Sequence, residues 1–321
     1  MVIDFGIELG NTEPWTTLRE AALCMDGQLW RTAWTYDHLI PCTASELPLT
    51  VSSAEECEEG PILEGWTLLA GLAAITSRVR LGTMVSCMTM RHPVLLAKNA
   101  VTVDHISGGR VDLGVGTGWL ECEHRALHIE LGTPKEQSDR LEEGSRILQQ
   151  CLHRGGRFSV EGKFYSVDNA PFAPLPVQSH LPLLIGGGGE KRTLRTVARY
   201  GDACNVYANM FGSYDEVVRK MRVLDRHCEE CGRDPREIRR TVTMYADIID
   251  DESEAFRYRR FMGQHLYDEE ADALPFGSAQ RIVDAIAPYV DLGIGEIVFN
   301  GPKPTPEKLT RLNDEVLHCF L

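Results

Sequence analysis

Leu181-Pro182-Leu183-Leu184-Ile185-Gly186-Gly187-Gly188-Gly189-Glu190-Lys191-Arg192-Thr193-Leu194-Arg195 reads as a short buried strand, four glycines, and then the charged start of a helix. Glycine has no Cβ, so backbone N–H groups in such a loop can approach an anion closely, and the following helix start adds a favourable dipole. The stretch therefore reads as a strand–loop–helix unit that holds a phosphate, with a plain flexible turn as the competing reading. It is not a P-loop, because no Gly-Lys-Ser/Thr triplet closes it. Nor is it the dinucleotide fingerprint, because Arg192 stands where the third glycine would fall.

The same strand-then-helix pattern repeats outward from this point in both directions. Apolar runs rich in β-branched residues predict strands at 2–9, 29–36, 79–86, 110–115, 181–186, 203–208, 241–248 and 295–299. Between and after them, helical periodicity predicts helices at about 14–26, 63–77, 93–107, 136–153, 189–200, 213–231, 277–290 and 305–319. Eight βα units match a closed (β/α)8 TIM barrel, with an open doubly wound sheet as the alternative. The 321 residues contain no internal repeat or low-complexity linker, so one domain is expected. Three stretches exceed a minimal barrel: 40–62, with an acidic cluster; 155–180, whose alternation around Glu161-Gly162-Lys163 predicts a β-hairpin; and 250–276, with a polar helix. Long insertions after barrel strands cover the C-terminal mouth, so substrate choice is expected to lie in them.

Composition narrows the class of partner. A net charge of −14 disfavours nucleic acid and anionic membranes, and no apolar run reaches membrane-spanning length. Ten cysteines without regular spacing read as free thiols in a reducing compartment, so the expectation is a cytoplasmic protein. Cys228-Glu229-Glu230-Cys231 has CxxC spacing but no second pair, and reads as a helix C-terminus before Gly232. His124 and His128 stand i,i+4 without a third ligand, so no metal is expected.

The strand ends carry the chemistry. Strand two ends Trp34-Thr35-Tyr36-Asp37-His38, which places an imidazole able to move protons near neutral pH at the mouth; a capping Asp beside a structural His is the alternative. Strand three ends Leu81-Gly82-Thr83-Met84-Val85-Ser86-Cys87, a small, apolar run suited to the face of a flat ring, and Pro93 suits a first helical position. Strand four, Arg110-Val111-Asp112-Leu113-Gly114-Val115-Gly116-Thr117-Gly118-Trp119, has glycine at alternate positions, which lets something bulky approach its backbone.

Together these residues resemble the luciferase-like monooxygenase superfamily of flavin and deazaflavin enzymes, over about residues 2–300. The resemblance rests on Asp37-His38, on Arg91-His92-Pro93 with Leu95-Leu96-Ala97-Lys98, and on Asp104-His105-Ile106-Ser107-Gly108-Gly109-Arg110. It rests also on Gly114 through Trp119 with Glu123-His124, on the Gly186–Arg195 loop, and on Gly232-Arg233-Asp234-Pro235. The Gly-Gly-Gly-Gly-Glu-Lys-Arg-Thr-Leu-Arg loop looks most like the branch that uses coenzyme F420. The resemblance implies a barrel with the cofactor in its mouth and a non-prolyl cis peptide, here Met84–Val85, behind the ring. It further implies that Asp37, His38, Met84, Val85, Ser86, Thr117 and Gly118 lie at the ring, with His38 as the catalytic group. Gly187, Gly188 and Gly189 would bind phosphate, with Glu190, Lys191 and Arg192 at the anionic tail. F420-dependent sugar-phosphate dehydrogenases of this family carry a tryptophan where this chain has Cys42 and a glutamate where it has Trp119, which argues against that activity. The expectation is an F420-dependent oxidoreductase acting on a small molecule, dimeric through its second and third helices. The alternatives are an FMN-dependent monooxygenase served by a flavin reductase and a non-catalytic flavin-binding barrel.

Overall fold

A computed structural model describes residues 3–41, 57, 59–208, 213–266, 274–301 and 303–321, with the backbone alone for 261–266. The eight expected strands form a closed parallel barrel. In chain order these are β1 (Asp4–Leu9), β2 (Thr32–Thr35) and β3 (Arg80–Thr83), continued by the two-residue β4 (Ser86–Cys87). Next come β5 (Val111–Gly116), the hairpin strands β6 (Gly156–Val160) and β7 (Val167–Phe172), β8 (Leu183–Gly186), β9 (Ala203–Tyr207) and β10 (Arg239–Tyr245). A small parallel pair, β11 (Asp247–Ile248) and β12 (Phe276–Gly277), precedes β13 (Glu296–Asn300). The ring runs β1-β2-β3-β5-β8-β9-β10-β13 and closes by pairing β13 with β1, which excludes the open-sheet alternative.

The outer layer holds α1 (Trp15–Asp26), α2 (Gly65–Ile75), α3 (Pro93–Ser107), α4 (Glu121–Ala126), α5 (Pro134–His153), α6 (Thr193–Tyr200), α7 (Tyr214–Cys231), α8 (Glu252–Leu266), α9 (Ala279–Asp291) and α10 (Pro306–Glu315). Their ends follow local chemistry. Pro93 opens α3 behind His92, whose side chain accepts from the Val94 N–H. Thr133 and Glu136 form a capping box at α5. Gly232, left-handed at φ 71°, closes α7, so the CxxC cysteines lie in a helix C-terminus as expected. The hairpin expected within 155–180 is β6–β7, paired antiparallel. No helix among the described residues is long and apolar enough to cross a membrane.

The expected boundaries need four corrections. The run expected as strand 79–86 is broken between β3 and β4, where the Met84–Val85 peptide is cis. The helix expected from 189 starts at Thr193, because residues 190–192 turn first. The strand expected at 241–248 begins at Arg239 and ends at Tyr245, and Asp247–Ile248 leaves the barrel to pair with β12. The last helix ends at Glu315 and gives way to a 3-10 turn over Leu317–Phe320. Of the 40–62 insertion, residues 42–56 and 58, including Cys42 and most of the acidic cluster, lie outside the described residues, as do 267–273 of the third insertion.

Strand periodicity sorts the barrel interior into layers. At the N-terminal end Arg80 Nε donates to Asp112 Oδ2 at 2.6 Å, and Arg239 Nη2 to Asp112 Oδ1 at 3.1 Å. Above them Trp34 lies across the barrel with Met84, Leu184, Ala203 and Val298, its indole N–H donating to Glu296 Oε1 at 3.2 Å. That ring fits only because Gly82 faces it from β3, where a Cβ would strike the indole. The C-terminal layer, which carries Glu8, Tyr36, Val85, Tyr207, Tyr245 and Asn300, forms the floor of the mouth.

Candidate active site

His38 follows β2 directly and is held from the side. Its Nδ1 lies 2.9 Å from Glu123 Oε2, while Glu123 Oε1 accepts the backbone N–H groups of Leu39 at 2.5 Å and Ile40 at 3.1 Å. Glu123 stands on α4 and its side chain is almost wholly buried. Burial alone would raise its pKa, but the hydrogen bond and charge of His38 and the two backbone donors outweigh that and lower it. The carboxylate is therefore ionised and fixes both the loop and the imidazole. Trp119, half exposed, meets the His38 ring edge-on with centroids 5.7 Å apart.

Asp37, next in sequence, points elsewhere. Arg91 grips it with two bonds, Nε to Oδ2 at 2.7 Å and Nη2 to Oδ1 at 2.5 Å, and reaches Glu64 Oε1 at 2.6 Å. The cluster ties the end of β2 to the starts of α2 and α3. Burial would lower the Arg91 pKa, but the two carboxylates raise it, so it stays charged. Asp37 thus anchors the frame, with its side chain held by Arg91. Ser86 is likewise fully buried, accepting the Trp66 indole N–H at 3.0 Å and donating to Thr83 Oγ1.

The floor is made by Val85. A Cβ on Gly116 would come within 2.6 Å of its Cγ2, and one on Gly186 within 2.9 Å of its Cγ1. The space left by alternating glycines in β5 is therefore filled by this chain's own valine, projected by the Met84–Val85 segment, rather than by a ligand. Val85 stays partly exposed and Met84 packs beneath it on Trp34. Thr117 and Gly118 follow at the rim, with Gly118 left-handed at φ 84° beneath Cys87 and Thr89.

Opposite His38 across the strand order, Gly187, Gly188 and Gly189 form the loop between β8 and α6. Gly187 is left-handed at φ 115°, and a Cβ on Gly189 would meet Thr193 Oγ1 at 2.7 Å. Arg192 is committed to α5, pairing with Asp139 at 2.5 Å and Glu142 at 3.5 Å, while Lys191 is exposed. Glu190 pairs with Arg219 at 3.2 Å, and its carbonyl oxygen lies 2.8 Å from His227 Nε2. Of the two cations expected at an anionic tail, Arg192 is thus ion-paired to α5 and Lys191 is open to solvent.

The roles of two residues of the site escaped sequence reasoning. Glu123 was visible as part of an acidic run, but its partner lies 85 positions away. Glu8 is fully buried at the end of β1; its Oε2 accepts from Asn300 Nδ2 at 2.7 Å and its Oε1 from the Tyr207 hydroxyl at 3.3 Å. The signal available was a lone acid inside an apolar strand. His124 Nε2 lies 2.7 Å from Thr89 Oγ1 and its Nδ1 2.8 Å from the Leu120 carbonyl oxygen.

Comparison with known proteins agrees with this architecture. The family model described as luciferase-like monooxygenase matches residues 10–282. The chain is 36% identical over 268 residues to pyrimidine monooxygenase RutA of Allorhizobium ampelinum, covering 79% of this chain and 70% of that protein. It is 28% identical over 277 residues to the F420-dependent glucose-6-phosphate dehydrogenase of Kineococcus radiotolerans, covering 78% and 80%. The coenzyme F420-dependent tetrahydromethanopterin reductase of Methanopyrus kandleri shares the fold, with a TM-score of 0.79, 19% identity and full coverage of both chains. From its barrel, its mouth and these matches, the chain belongs to the luciferase-like monooxygenase family.

Proposed function

We propose that the protein is a coenzyme F420-dependent oxidoreductase, passing a hydride between C5 of the deazaflavin and a small organic substrate. The observation that supports this most is the His38–Glu123 pair beside the apolar floor of Val85, with a glycine loop on the other side of the mouth. These residues fit the group: Val85 offers a flat apolar face, and the loop offers backbone N–H groups to a phosphate. When bound, the deazaflavin supplies the hydride site at C5 and, with carbon at that position, does not readily add oxygen.

The chain's own residues then position groups and handle the proton. With Nδ1 of His38 committed to Glu123, proton exchange with the substrate falls to Nε2. The ionised Glu123 stabilises the imidazolium, so His38 donates the proton when a substrate is reduced and accepts it in the opposite direction. Burial holds Glu8 neutral at pH 7, so it adds no negative charge to the floor of the mouth. Trp119 places an indole beside His38, which favours an apolar or aromatic substrate over a sugar phosphate.

A second reading, an FMN-dependent monooxygenase supplied by a flavin reductase, is favoured by the relative named as a pyrimidine monooxygenase. Oxygen separates the two. Purified protein is mixed with F420, in either redox state, and a panel of small alcohols, carbonyl compounds and enones without oxygen. A substrate-dependent change in deazaflavin absorbance supports the first reading. Oxygen consumption with reduced FMN and no anaerobic turnover of F420 refutes it.

A further inference from the structure

The loop between β8 and α6 has a neighbour from the next βα unit. Lys220, on α7, lies along Gly188: a Cβ built on that glycine would sit 2.9 Å from both Cε and Nζ of Lys220. The side chain is half-buried in this position, and among the described residues its ammonium has neither a hydrogen bond nor an ion pair. The surrounding arginines are committed, and Lys191 is exposed to solvent. Arg192 pairs with Asp139 and Glu142, Arg195 and Arg199 with Glu142, and Arg219 with Glu190 and Glu216. Leaving an ammonium half-desolvated and unpaired is costly unless an anion completes its surroundings. Gly188 is the residue that lets the lysine stem cross the loop, since any side chain there would displace it.

We propose that Lys220 is the cation that grips the phosphate of the bound cofactor, reaching over Gly188 from α7, in place of Lys191 and Arg192. The proposal rests on the cofactor reading above and deepens it. His227, one helical segment further along α7, lies 2.8 Å by its Nε2 from the Glu190 carbonyl oxygen, so the same helix that carries the cation also braces the loop. Arg219, beside Lys220, takes up the Glu190 carboxylate and lessens its repulsion of an incoming anion.

The test uses the full chain and two pairs of ligands: F420 against its phosphate-free deazaflavin riboside, and FMN against riboflavin. Binding is followed by fluorescence for the wild type, Lys220→Ala, Lys220→Arg, Lys220→Gln and Lys191→Ala. Loss of one charge-assisted contact weakens the phosphate-bearing ligand by about 10- to 100-fold. The expected result is that loss in Lys220→Ala and Lys220→Gln, unchanged affinity for the phosphate-free partner, partial recovery in Lys220→Arg, and no loss in Lys191→Ala. Equal weakening of both members of a pair, or of neither, overturns the role of Lys220 while leaving the cofactor reading in place. A wild type that binds no phosphate-bearing ligand overturns both, and does so without any variant.

Discussion

Replacing Glu8 with glutamine tests whether the floor of the mouth is uncharged. The carboxyl is fully buried, and burial pushes its pKa from 4.5 up to about 8, although hydrogen bonds from Tyr207, Tyr36 and Thr243 and the charge of His38 pull it back. The folded protein therefore keeps a proton that the unfolded chain releases above pH 4.5. Because the folded pKa is the higher one, the stability tied to this group is fully present below the unfolded pKa and is lost as the pH rises towards about 8. Glu8→Gln keeps the shape and can still accept from Asn300, but it does not titrate. One pKa unit corresponds to about 1.4 kcal/mol, so the variant should gain on the wild type by about 1.4 kcal/mol per pH unit across this window. At pH 7 the gain approaches roughly 3 kcal/mol, less about 1 kcal/mol for an imperfect hydrogen bond to Tyr207. Urea unfolding of both proteins at steps between about pH 5 and about pH 8 gives the comparison. Parallel stability profiles would mean that Glu8 is ionised in the folded protein and would refute the reasoning.

Three further outcomes follow from the site. His38→Ala should keep cofactor affinity and lower turnover by about 10²- to 10⁴-fold; unchanged turnover would remove His38 from the mechanism. Glu123→Gln keeps a partner for Nδ1 but removes the charge that favours the imidazolium, so the limb of the pH–rate profile reporting His38 should move to lower pH, and an unmoved limb would contradict the pairing. Arg91→Ala strands the buried Asp37 carboxylate and should cost about 3–5 kcal/mol by urea unfolding. Adding Asp37→Asn to Arg91→Ala should recover part of that loss, and no recovery would argue against a buried ion pair as its source.

The barrel was legible because parallel strands buried on both faces leave apolar runs that stand out between helical stretches, as Leu183–Gly186 and Ala203–Tyr207 do. Sequence pattern also marked the glycines of β5 as empty space. It could not identify the occupant, because Val85 reaches Gly116 and Gly186 through a cis segment that no periodicity encodes and that only the family resemblance suggested. Asp37 and His38 are adjacent in sequence yet serve different ends. His38 turns to Glu123 on α4, and Asp37 to Arg91 before α3. Neither partner lies within reach of a local motif, so the pair read as one unit when it is two. The cation proposed for the loop is hidden for the same reason: Lys191 and Arg192 are nearest in sequence, whereas the Lys220 side chain lies against Gly188 from another helix.

The central claim is the identity of the cofactor, and a parallel titration of the purified protein with F420 and FMN tests it most directly. The account predicts micromolar or tighter binding of F420 with much weaker binding of FMN. A clear preference for FMN would contradict it and place the protein among the monooxygenases of the family.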